Sequence, residues 1–148
     1  MLIIEDKNKG INQNKNVNQD TTVTVQKLIR DTLLALGIAP NYKGFSRIET
    51  ALMLLLDNED YLFAITKELY PAVAEKLNTS SKKIERNIRH AREKAEFTYT
   101  ALWRELFKYA DPEKKITNSY FLARVLMYLR DVLSGDLAGM ENTKNKGA

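Results

Sequence analysis

Hydrophobic positions recur at helical spacing along most of the chain, and no run shows the alternation of a strand. Val25, Leu28, Ile29, Leu33 and Leu36 mark one apolar face. Thr21 or Thr22 can cap that helix, and Gly37 can stop it. The stretch GIAPNYKG, punctuated by proline and glycine, reads as a loop. Ser46 and Glu49 have the S-x-x-E spacing of a capping box, which predicts a helix beginning there and running through TALMLLLDN. That run is apolar almost all round, so its place is central. A short helix through Ile65 and Leu69 is expected to end near Pro71. Proline fits the first turn of the next helix, PAVAEKL. Asn78-Thr79-Ser80-Ser81 then supplies turn and N-cap residues.

From Ser81 the pattern predicts a longer helix, to about residue 96. Ile84, Ile88, Ala91 and Ala95 fall on one narrow face. Lys82, Arg86, Arg89 and Glu93 fall on the far side, with Lys83 and His90 along one edge and Glu85 along the other. The inner face is small enough for close packing, and the outer face carries long donors. A short helix, a turn of about four residues and a second helix of this polarity match helix-turn-helix geometry. The expected fold is all-α: a compact domain of roughly six helices, containing a helix-turn-helix, over residues 21–135. A flexible polar arm is expected at residues 1–20, where NKGINQNKNVNQD can bury little. A flexible tail is expected at 136–148.

Charge sharpens this picture. Net charge is only +4, but KKIERNIRHAREK (residues 82–94) holds six basic and two acidic side chains, an excess equal to that of the whole chain. A neutral body with one basic segment is the footprint of a protein that meets phosphate through one element. Cysteine is absent, which excludes a disulfide framework, a thiolate zinc site and a Cys nucleophile. With a single histidine, neither a metal site nor any other cofactor site is expected. No nucleophile–base constellation points to an enzyme. No apolar run approaches a membrane span or a signal-peptide core, so a cytoplasmic protein is expected.

The segment ITKELYPAVAEKLNTSSKKIERNIRHAREKAEF carries a resemblance. It is similar to the helix-turn-helix in the C-terminal effector domain of the stage-zero sporulation response regulator family. The flanking LGIAPNYKGFSRIETALMLL and ITNSYFLARVLMYLR resemble that domain's other helices, in order, from about Val23 to Leu133. The resemblance implies a six-helix domain that binds double-stranded DNA at boxes of the TGTCGAA type. It places the family's base-reading Glu-Arg pair on Glu85 and Arg86, and its preceding recognition-helix arginine on Lys83. Arg89 and His90 match the family's Arg-His-Ala. The segment after the recognition helix would touch the RNA polymerase sigma subunit, although TYTALWRELFKYADPEKK diverges there. Only some twenty polar residues precede the likeness, so no phosphoacceptor receiver is expected. The chain would then be a monomer when free and would bind tandem boxes head to tail.

The chemistry of the residues agrees. Arginine can donate two bonds to guanine, and a carboxylate can accept from cytosine. Lys82, Lys83, Arg89 and Arg92 suit backbone phosphates, as does His90. Ser80, Ser81 and the helix N-terminus can hold another. Plainer readings stand beside these. Glu85 and Arg89 can simply pair at i, i+4, and His90 can be an idle surface residue. Trp103, Phe107 and Tyr109, with Leu102 and Leu106, read as core rather than as a base-stacking platform. The function expected first is a sequence-specific transcription regulator. The alternative is an interaction module that pairs with a full-length regulator or a sigma factor.

Overall fold

The computed structural model describes residues 20–135, which form six α-helices and no strand. Helix α1 occupies residues 20–35, α2 Lys43–Asp57, α3 Tyr70–Lys76, α4 Ser81–Thr98, α5 Ala101–Leu106 and α6 Asn118–Ser134. A 3-10 turn, Glu59–Phe63, and a π turn, Ile65–Leu69, lead from α2 into α3. The all-α, six-helix expectation holds. The arm and tail expected at the two ends fall outside the described residues, except Asp20, which belongs to α1. Thr21 and Thr22 therefore lie inside that helix rather than capping it.

Gly37 does stop α1. It adopts φ +84°, and its amide bonds to the Leu34 carbonyl while the Ile38 amide bonds to the Leu33 carbonyl. These two bonds make a Schellman closure, which favours a residue without a Cβ. Space matters as well, since a Cβ on Gly37 would sit 2.9 Å from the Thr98 side chain at the end of α4.

Two expected boundaries move. Helix α2 begins at Lys43, ahead of the S-x-x-E sequence, and its N-cap Tyr42 makes no side-chain bond. Ser46 sits inside the helix and donates to the Lys43 carbonyl at 3.2 Å. Glu49 instead pairs with Arg30 of α1. The cause is tertiary. Helix α2 starts where Gly44 meets α4 so closely that a Cβ would lie 2.4 Å from the Asn87 carbonyl oxygen and 2.5 Å from the Ala91 Cβ. Packing at that point outweighs a local capping preference.

The second change is at Pro71. The chain does not break there, because Leu69 and Tyr70 keep right-handed helical dihedrals and the π turn runs directly into α3. Proline in a first turn removes an amide that would have had no intrahelical partner.

The core is one cluster drawn from all six helices. Helix α2 is central, contributing Phe45, Ile48, Ala51, Leu52 and Leu55 to it. Trp103 and Phe107 close its far end with ring centroids 4.2 Å apart, and both are also near Phe121. The core expectation holds for Trp103, Leu106 and Phe107 but not for Tyr109, which is 83% exposed. Tyr109 lies beyond the end of α5, so helical spacing does not govern where its ring points.

Candidate nucleic-acid interface

Helices α3 and α4 are joined by the four residues from Leu77 to Ser80. Asn78 takes the left-handed conformation, φ +52°, which asparagine tolerates better than most residues. The Thr79 amide reaches back to the Ala74 carbonyl at 2.9 Å and closes α3. Ser80 is the N-cap of α4, its Oγ accepting from the Lys83 amide at 3.3 Å. The turn chemistry written in Asn78 to Ser81 is thus realised. Its effect is to aim α4 away from α3 with a fixed start.

The inner face of α4 is as its spacing implies. Ile84, Ile88, Ala91 and Ala95 are each at most 1% exposed. The small Ala91 lets α4 come against Gly44 of α2. With its apolar stripe wedged among α2, α3 and α6, the helix has one rotational setting, and this decides which side chains reach solvent.

Lys82, Lys83, Arg86 and His90 are exposed, and none of their side chains makes a hydrogen bond or ion pair among the described residues. Glu85 and Arg89 are half-exposed. Arg89 Nε lies 3.7 Å from Glu85 Oε1 and 3.9 Å from Glu93 Oε1, yet has no hydrogen bond. The i, i+4 pairing is therefore present, but contacts this long between half-exposed side chains are worth less than about 1 kcal/mol. Ser80 is exposed with its acceptor engaged in the cap, and Ser81 is partly buried.

Arg92 parts from this group. It is only 9% exposed, donates from Nε to Asn118 Oδ1 at 2.9 Å, and lies 3.8 Å from Glu96. It was expected among the phosphate holders. Its position on the wheel instead turns it toward α6, where it ties two helices together.

Asn118 is the residue that helical patterning missed. Its Nδ2 donates to the Tyr70 hydroxyl at 3.1 Å and to the Glu85 carbonyl at 3.2 Å, while its Oδ1 accepts from Arg92. One amide thus joins the first turn of α6 to both helices of the helix-turn-helix. Burial pushes the Tyr70 phenol above its ordinary range, so it stays neutral. Asn118→Ala should lower stability by about 1–3 kcal/mol in urea unfolding, because it leaves buried polar groups without partners. Tyr70→Phe should cost less, about 0.5–1.5 kcal/mol, and the double variant less than the sum. Strict additivity would mean that the two side chains do not share a bond.

Such a domain, with an exposed basic face on the second helix of its helix-turn-helix, is of the DNA-binding regulatory class. Residues 29–129 match the family described as sporulation initiation factor Spo0A C terminal. The match spans more than half of the chain, and the chain belongs to this family of DNA-binding effector domains of sporulation response regulators. These are regulatory domains, not enzymes. No helix among the described residues is long and apolar enough to cross a membrane.

Proposed function

We propose that the chain is a sequence-specific transcription regulator that lays α4 in the major groove of double-stranded DNA. The observation that carries this reading is the row of unpaired cations on that helix, Lys82, Lys83 and Arg86, beside a Glu85 held only loosely. Arg86 and Glu85, with Lys83, read base edges; Lys82, Arg89, His90, Ser80 and Ser81 hold phosphates. Arg92 has no part in the contact, since it faces α6. TGTCGAA-type boxes are the proposed target, bound head to tail by a protein that is a monomer when free.

Exposed aromatic rings in the segment that follows the recognition face support a protein partner, with the RNA polymerase sigma subunit as the proposed one. Phe97, Tyr99 and Tyr109 are 84%, 59% and 83% exposed. Lys94, Arg104 and Lys108 lie over their rings at 5.3–5.7 Å. If partner binding through these rings were the whole function, DNA would bind weakly or not at all.

Selection from a random duplex pool tests the first reading, followed by salt titration of the winner. Enrichment of one box is expected, with log affinity falling by about 0.9 per neutralised phosphate for each unit of log salt. A pool that stays random, or an affinity indifferent to salt, would leave the interaction module as the better account.

A further inference from the structure

The cations of α4 fall into two sets. On the edge toward α6, Arg89 has Glu85 and Glu93 beside it, and Arg92 has Glu96. That edge is nearly neutral. On the opposite edge Lys83, Asn87, His90 and Lys94 follow at helical spacing and form one stripe. The stripe contains no carboxylate, and none of its cations forms an ion pair among the described residues. It faces the start of α2 across a groove of about 400 Å³, lined by Asn41, Tyr42, Lys43, Asn87, His90 and Lys94 among others. The floor of this groove is the close approach of Gly44 to Asn87 and Ala91, so its two walls are held at a fixed spacing.

We propose that this groove is a second seat for DNA. It holds the sugar-phosphate backbone that flanks the base pairs read by α4. Lys43 and Lys94 supply the positive charge, and Asn41, Asn87 and His90 supply further polar groups. Lys43 brings in an element outside the helix-turn-helix. The proposal rests on the DNA-binding reading of α4 and adds a direction to it. One strand of the duplex backbone runs along the α2 side of the recognition helix, where the groove lining carries no carboxylate. A groove with cations on both walls and no acid in its lining has no evident use in folding, because like charges facing one another destabilise.

The test uses the full chain, the duplex preferred in selection and a scrambled one. Lys43→Gln and Lys94→Gln remove charge from exposed or groove-lining positions without touching the core. Each should lower the salt slope by about one and weaken both duplexes by the same factor, leaving their affinity ratio unchanged. Lys114→Gln, an exposed control far along the chain, should change neither. A scan of single neutral methylphosphonate linkages then locates the contact. At one or two linkages outside the read base pairs the unaltered protein should lose affinity and the Lys43/Lys94 double variant should not. If the double variant matches the Lys114 control while Arg86→Ala still loses discrimination, the groove is not a DNA seat and the major-groove reading stands. If no linkage distinguishes the two proteins, the groove assignment likewise falls. If the unaltered chain binds neither duplex, the DNA-binding reading itself fails, and the groove assignment with it.

Discussion

Ile88→Ala should lower the stability of the domain by about 2–5 kcal/mol and its melting temperature by roughly ten degrees or more. Ile88 is fully buried at the middle of α4, on the stripe that meets α2, α3 and α6. Truncation removes three carbons from a site whose neighbours are themselves pinned. Gly44 already touches α4 closely, and the Asn118 bonds hold α4 to α6. Little collapse can therefore fill the space, which puts the loss toward the upper part of the range. DNA binding should fall because the folded fraction falls. At a temperature well below the new melting point, affinity and discrimination should recover to near those of the unaltered protein. Ile88→Val, which leaves a smaller gap, should cost about 0.5–1.5 kcal/mol. Calorimetry with binding measured at two temperatures decides the matter. A variant that melts normally yet binds poorly would show that Ile88 acts on the interface itself.

The contrast between Ile88 and Arg92 shows what the sequence could disclose. Helical spacing identified Ile84, Ile88, Ala91 and Ala95 as the inner face because burial follows directly from a period of 3.6. The same wheel was less decisive at the edges. A long arginine near the boundary can reach solvent or fold back, and Asn118, twenty-six residues away in sequence, makes that choice for Arg92. Local turn chemistry was legible where tertiary contacts do not oppose it, as at Gly37 and Ser80. It misled at Ser46 and Glu49. There a helix–helix contact through Gly44 sets the start of α2, and Arg30 takes the carboxylate that the box would have used. The Lys43 side of the groove could not be seen at all from sequence, since it depends on which edge of α4 faces α2. Lys94 was counted in the basic segment, but nothing local distinguishes it from Arg92, four of whose neighbours in sequence are also charged.

Arg86→Ala should cost roughly 1–3 kcal/mol on the preferred duplex and far less on a scrambled one. Its guanidinium is exposed and makes no bond to the rest of the protein, so its removal leaves nothing unpaired and should not change the melting curve. What is lost is a two-pronged donor that fits guanine O6 and N7 and no other base edge equally well. The correct site therefore loses most, and sequence preference relaxes. Glu85→Ala should behave differently, removing a charge that repels phosphate along with an acceptor for cytosine. Nonspecific affinity should hold or rise while discrimination falls. The substitution also frees Arg89 from its 3.7 Å neighbour, which adds to the nonspecific gain. Lys82→Ala completes the comparison: both duplexes should weaken alike, and the salt slope should drop by about one. The measurement is a single matrix of three variants, two duplexes and several salt concentrations, with melting curves alongside. Equal losses for Arg86→Ala on both duplexes, in a folded protein, would make Arg86 a phosphate clamp and move base reading to other residues of α4.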